Sequence, residues 1–461
     1  MGDTRSLASP LAIRITDDAV NKYDQFEHAA QTDVGVRRSH NQDSLTVLLA
    51  SDQKRWREQG HVFHVADGMG AHAVGELASE IATRIISHTY HKSVQEGVVA
   101  ALGKAFQEAN AVIHERGVKN PEFAGMGTTS TALVLRPEGA WIGHVGDSRA
   151  YRIRDGKMQQ LSFDHSLLWE KARRRNVRPE ELEGVPSNVI VRSLGPEGEV
   201  EADVQGPHPM QDGDIFLLCS DGLSGPLGDR EIGAVSSVLP PKEACDFLID
   251  LANLRGGPDN ITVIIVRIGE PEAAAGKKKK KKVVEEEDDA PKAAWYQKIP
   301  WPLWILLVGV LLAAGAFALI FNKRSEASYV FILAVGVILT GVVCLGIYHV
   351  QEKKRREKAI PEYRPRTKVY REAECRIDNV LIAKLTKAQD VLVKRAREQQ
   401  WEVDWKKHQK HQDESQRLLA AGDFHGAFRD ICRSMQPLTQ ALRKHRHKEE
   451  AFNPNWEKTE T

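Results

Sequence analysis

Residues 24–269 predict an α+β layered sandwich, followed by two apolar spans and a basic helical tail. Three observations carry that expectation. Short β-rich apolar runs precede and follow a pair of adjacent amphipathic helices, rather than alternating with single helices as in a parallel sheet. Several of those runs end at an aspartate beside a glycine, serine or asparagine. Beyond Gly269 the composition turns to charge blocks and then to uncharged stretches long enough to cross a bilayer.

The 461-residue length exceeds a single core and predicts several domains. With 28% charged residues and a net charge of +1, nothing draws the whole chain to nucleic acid, and no such partner is expected. The five cysteines (Cys219, Cys245, Cys344, Cys375, Cys432) lack paired spacing and fit buried thiols in a reducing compartment. Residues 1–23 form a leader without an apolar segment of signal-peptide length, which predicts a cytoplasmic N-terminus.

In chain order, 44–50 and 61–66 read as strands joined by a polar hairpin. Val74, Leu77, Ala78, Ile81 and Ile85 recur at spacings of three and four, predicting a helix over 74–88. Val98, Leu102, Ala105, Phe106 and Ala109 predict a second over about 93–116. Strands return at 128–136, 140–145 and 150–154, with Pro137-Glu138-Gly139 and Asp155-Gly156 as turns.

The chemistry lies in the acidic strand ends. Asp67-Gly68-Met69-Gly70 closes the apolar run Phe63-His64-Val65-Ala66. Asn41-Gln42-Asp43, Gly146-Asp147-Ser148-Arg149, Ser220-Asp221-Gly222 and Asp259-Asn260 repeat the design. Gathered carboxylates repel one another and resist burial, and hard divalent cations held by oxygen give them a reason to gather. Asp33-x-Gly35-x-x-Arg38, Gly125-Met126-Gly127-Thr128-Thr129 and Asp164-His165-Ser166 join these stretches in order. The series closely resembles the metal-dependent PP2C-type (PPM) serine/threonine protein phosphatases in their bacterial form, over about residues 25–268.

That resemblance implies two antiparallel sheets flanked by helices, with Mn²⁺ or Mg²⁺ at one end. It implies two ions bridged by Asp67, Asp221 and Asp259 at the first, and Asp43 and the Gly68 carbonyl at the second. Asp147 with Asp221 would form a third, weaker site. Arg38 matches the phosphate-binding arginine, whose planar guanidinium suits two phosphate oxygens. Asn260 is expected to support Asp259 by hydrogen bonding. Gln42 stands where many relatives carry glutamate, which predicts weaker metal binding. Met69 stands where some relatives have a histidine, and Ala71 replaces a usual glycine. His64 and His72 read as structural histidines rather than acids, and 164–187 looks like the family's helical flap beside the site.

The implied activity is hydrolysis of phosphoserine and phosphothreonine in proteins, countering cognate serine/threonine kinases. Two metal ions about 4 Å apart neutralise phosphate charge and bring the pKa of water toward neutrality. A rival reading is a non-catalytic scaffold that binds phosphoproteins. It predicts loss of Asp67, Asp221 or Asp259, and all three are present.

Residues 270–300 hold Lys277 to Lys282 and Glu285 to Asp289, like-charge blocks that stay solvated as a linker. A catalytic fragment ending near residue 270 is therefore expected to stand alone. Within 301–350 two spans are predicted, 303–321 without charge and 329–350 with only His349. Trp295, Tyr296, Trp301 and Trp304 gather at the first entrance as an interfacial belt. Lys292, Lys298 and Lys353-Lys354-Arg355-Arg356 flank the spans, which predicts a membrane hairpin with both tails cytoplasmic. In the tail, 351–461, 26 basic residues outnumber 18 acidic ones. Two long helical patterns lie between about 371 and 448, broken at Ala421-Gly422-Asp423. They faintly resemble one tetratricopeptide pair, too little for a repeat, and predict a solvated helical hairpin.

Overall fold

The computed structural model describes residues 25–70, 73–186, 188–269 and 367–451, with isolated helical residues between 308 and 345. The chain divides into two compact units, one joining 1–276 to 365–461 and the other covering 277–364. The leader 1–23, the linker 270–300, Ala71, His72 and much of both apolar spans lie outside the described residues. In the second unit 310–315 and 335–345 are helical. Among the described residues no helix is long and apolar enough to cross a membrane.

Two antiparallel sheets face each other in the first unit. One runs, in spatial order, β1 (Phe26–Asp33), β11 (Ile261–Ile268), β10 (Ile215–Cys219), β7 (Arg149–Arg154), β8 (Lys157–Gln160) and β12 (Arg371–Glu374). The other runs β2 (Asp43–Leu48), β3 (His61–Met69), β5 (Ser130–Arg136), β6 (Gly139–Val145) and β9 (Asp203–His208). β4 (Gly127–Thr128) pairs with the end of β3. This is the α+β layered sandwich expected from the sequence.

Alternation along the strands builds both faces. Phe216 and Leu218 of β10 and Ile264 and Val266 of β11 fill the space between the sheets, against Phe63, Val65, Leu133 and Ile142. Leu217, Cys219, Val263 and Ile265 fall on the opposite face, in a second core. Strands covered on both faces read as unbroken apolar runs, as these do. Helices α2 (Ala73–Ser93) and α3 (Val98–Lys119) pack together on the β2–β9 sheet. Helices α6 (Asp229–Val238) and α7 (Pro241–Leu254) cover the outer face of the other.

The segment between β2 and β3 differs from the expected hairpin. It holds a short helix, α1 (Gln53–Glu58), capped by Asp52, whose carboxylate accepts from the Arg55 N–H at 2.9 Å. Buried Trp56 anchors it by stacking on His61.

The C-terminal residues depart furthest from the sequence reading, which has 351–461 as a separate, solvated helical tail. Arg371–Glu374 is a strand, and three helices follow: α8 (Asn379–Glu398), α9 (Trp405–Ala420) and α10 (Phe424–Ala451). Phe428, Ile431, Met435 and Leu438 of α10 share one core with Phe247, Leu248 and Leu251 of α7. Arg433 pairs with Glu243 at 2.9 Å, and Arg443 pairs with the buried Asp250. Periodicity reports that a helix has an apolar stripe, but not which surface covers it. The expected break at Gly422 is present, with φ +79°.

Candidate active site

The sheets deliver five acidic positions to one end of the sandwich. β2 and β3 place Asp43 and Asp67 directly opposite each other. Such a like-charge cross-strand pair destabilises a sheet unless something compensates it. Asp147 lies just before β7, Asp221 opens the short helix α5 (Asp221–Ser224) just after β10, Asp259 lies just before β11, and Cys219 pairs with both Arg149 and Val263. Gly68 has no room for a side chain, since a Cβ there would meet the Gly75 carbonyl oxygen at 2.0 Å.

The electrostatics follow from this crowding. Burial pushes the Asp43 carboxyl up to about 7; hydrogen bonds from Thr262 and Ser220 oppose it, and the charges of Asp221 and Asp259 add to it. Burial, then Asp221 and Asp164, push Asp147 up to about 8 against the pull of Arg149. Asp67 and Asp221 are also raised, by burial first and then by neighbouring carboxylates. Carboxyls that hold protons near neutral pH in the bare protein release them to a cation.

The donors fit hard divalent cations. Asp43 Oδ1, Asp147 Oδ1 and Asp221 Oδ1 are buried without a hydrogen-bond partner, so free acceptors are available in an all-oxygen set. Among the described residues no three acidic, histidine or cysteine side chains close on one point as a ready-made ion cage.

Arg38 stands at the mouth, half-exposed, with Nη2 donating to Asp259 Oδ2 at 2.7 Å. The Asn260 side chain ties one loop together. Its Nδ2 donates to the Val34 and His40 carbonyls at 2.8 and 2.9 Å, and its Oδ1 accepts from the Gln42 N–H at 2.8 Å. It is the Asn260 backbone N–H that reaches Asp259 Oδ1, at 2.8 Å. The Gln42 amide donates to the Gly70 carbonyl at 3.1 Å, bracing the loop that follows Asp67. His64 is fully buried with Nε2 2.7 Å from Ser130 Oγ, and burial lowers its pKa to about 3.

Several supporting hydroxyls have no role in the sequence reading. Ser220 Oγ donates to Asp43 Oδ2 at 2.7 Å. Thr129 Oγ1 accepts from the Asp67 N–H, and Thr128 Oγ1 donates to the Asp67 carbonyl, both at 2.9 Å. The signal was their place inside the motifs, as hydroxyl residues beside acidic strand ends. Arg149 binds Asp164 through Nη2 and Nε at 2.7 and 2.9 Å, just before the helix α4 (Leu167–Arg175) and a short 3₁₀ turn at Pro179–Glu181.

The chain has relatives among known proteins. The Protein phosphatase 2C family matches residues 35–245. The chain is 36% identical over 242 residues to the serine/threonine phosphatase stp of Listeria innocua serovar 6a, covering 51% of this chain and 93% of that one. It is 35% identical over 254 residues to protein phosphatase PhpP of Streptococcus pneumoniae serotype 2, covering 54% and 100%. A crystal structure of the catalytic domain of the phosphatase PstP in complex with two manganese ions is 32% identical, with TM-score 0.47, covering 53% and 99%. The chain belongs to the PP2C-type (PPM) family of serine/threonine phosphatases, metal-dependent phosphoprotein hydrolases that use Mn²⁺ or Mg²⁺.

Proposed function

We propose that this chain is a membrane-anchored phosphatase that removes phosphate from phosphoserine and phosphothreonine in proteins, countering serine/threonine kinases. The observation that supports it best is the meeting of mutually repelling carboxylates under an arginine at the mouth. Asp43, Asp67, Asp147, Asp221 and Asp259, with the Gly68 carbonyl, would hold the ions. Bound there, the ions neutralise phosphate charge and activate water for attack.

The chain's own groups do the rest. Arg38 offers a planar guanidinium to two phosphate oxygens, exchanging Asp259 for the substrate. Ser220 and Asn260 hold the acidic loops in register, and Thr128 and Thr129 fix the backbone of Asp67. His64 is buried, neutral and bonded to Ser130, so it donates no proton to the leaving hydroxyl.

The test is Mn²⁺-dependent hydrolysis of a phosphothreonine peptide by the full chain. Asp67→Asn should lower activity by about 10³-fold, the scale of a metal contribution of several kcal/mol. Full activity in chelator, or in the Asn variant, would refute the reading.

The anchoring rests on the uncharged run 303–321, the run 329–350 with only His349, and the aromatic residues at the first entrance. The flanking basic residues support a catalytic domain and tail that both face the cytoplasm. The chain should stay with membranes after a high-salt wash. A cysteine introduced at exposed Lys410 should resist impermeant thiol reagents added to intact cells, and strong labelling would mean the reverse topology.

A further inference from the structure

The strand β12 reaches the catalytic residues through one side chain. It pairs with β8 in the register Arg371↔Gln160 to Glu374↔Lys157, extended by Tyr370 N–H to the Gln160 carbonyl and Cys375 N–H to the Gly156 carbonyl. The fit leaves no slack: a Cβ on Gly233 of α6 would meet Cys375 Sγ at 2.1 Å. This places the Arg371 guanidinium between two carboxylates. Nε lies 3.0 Å from Asp229 Oδ2, and Nη2 lies 3.2 Å from Glu180 Oε1 in the segment after α4.

Asp229 is buried, and its other oxygen accepts from the Tyr151 hydroxyl at 3.1 Å. That hydroxyl in turn accepts from Arg149 Nη1 at 3.2 Å. Arg149 holds Asp164, and its charge acts on Asp147 and Asp221. A continuous polar chain therefore runs from Glu180 through Arg371, Asp229, Tyr151 and Arg149 to the acidic site.

We propose that Arg371 is a positioning residue of the phosphatase site, delivered by the C-terminal segment to brace the flap and to set the charge around Arg149. The proposal rests on the phosphatase reading above. Its physical basis is the buried Asp229. Without Arg371, that carboxylate keeps a single neutral donor and draws on Arg149 through Tyr151, weakening the cation that faces Asp147 and Asp221. Glu180 loses its anchor at the same time, so the flap segment opens more often. Lysine in place of Arg371 keeps a charge beside Asp229 but cannot span both carboxylates, because its ammonium is a single point.

The full chain is compared with Arg371→Met, Arg371→Lys and Glu180→Gln, with Lys157→Ala as a control. Lys157 pairs with Glu372 on the same strand at 2.8 Å, away from the polar chain. Binding of MnCl₂ is followed by calorimetry, and flap opening by the rate of tryptic cleavage between Arg175 and Asn176, at the exposed end of α4, well below the melting temperature. Arg371→Met should tighten Mn²⁺ binding, since a weakened Arg149 repels the ion less, and should speed cleavage, each about tenfold, the size of one charge-assisted hydrogen bond. Arg371→Lys should recover the binding but not the cleavage rate. Glu180→Gln should speed cleavage alone, and Lys157→Ala should match wild type. Wild-type values for Arg371→Met in both measurements would overturn the proposal, as would equal effects of Lys157→Ala. If Arg371→Met fails to fold, the Lys and Gln variants still decide: both should speed cleavage with Mn²⁺ binding unchanged, and wild-type cleavage in both would overturn the proposal. Neither measurement needs turnover, so a wild-type chain without phosphatase activity would refute the enzymatic reading separately.

Discussion

The two sheets are completed in different ways. The sheet that holds Asp43 and Asp67 is assembled entirely from residues between 43 and 208, inside the span of the motifs. The other takes its last strand from the far end of the chain: Glu372 meets Lys157 across 215 positions. The first sheet announces itself through local motifs. The second shows that the catalytic unit does not end where the motifs end.

The strongest way to break this comparison is to remove 365–461. That exposes the β8 edge and the apolar surface around Phe247 and Leu248. The fragment ending near residue 270 should aggregate or melt more than about 10 °C below the full chain, as loss of several buried apolar side chains implies. A soluble, active fragment with wild-type melting would show that the C-terminal helices are dispensable.

A single residue tests the same joint. Phe428 is fully buried between α10 and α7, and Phe428→Ala should destabilise the protein by about 3–5 kcal/mol in urea unfolding. A loss below about 1 kcal/mol would mean the helices dock only loosely.

The first sheet has its own signature. The His64 imidazole takes a proton below about pH 6.5 in the unfolded chain, but in the fold only near pH 3. Its stabilisation is thus complete above 6.5 and lost as pH falls from there toward 3, by about 1.4 kcal/mol per pH unit. The stability gap between wild type and His64→Gln should shrink by that amount per unit between pH 6 and 4. A constant gap would show that His64 is protonated in the fold.

The smallest expected effect is at Gln42. Gln42→Glu adds an anion near the acidic site and should lower the Mn²⁺ concentration for half-maximal activity about threefold. It also removes the donor to the Gly70 carbonyl, so the metal-free variant should melt lower than wild type. An unchanged Mn²⁺ curve would place residue 42 outside the reach of the ions.

These contrasts explain what could be read from the sequence. Asp67, Asp147, Asp221 and Asp259 were legible because an acid beside a glycine, serine or asparagine at a strand end, alone no more than a turn, recurs along the chain in the order of the family's motifs. The hydroxyls of Thr129 and Ser220 were present in those patterns, but their targets are set by strand register. β12 was not legible, since Arg371-Glu372-Ala373-Glu374 has too little apolar content to register as a strand. Its conformation is imposed by β8. α1 was missed because a six-residue polar helix depends on its Asp52 cap and on Trp56, not on periodicity.

The distance between β8 and β12 also orders events during synthesis. At about 5–20 residues per second, roughly 10–40 s pass between the ribosome's release of Lys157 and its release of Glu372. Throughout that interval the β8 edge offers unpaired backbone groups, a template for pairing with other chains. Arg371 arrives with the same strand, so a chain cut in the lysine-rich linker keeps every acidic motif yet lacks the brace on its flap. Full assembly of the site thereby becomes a report that translation has passed β12.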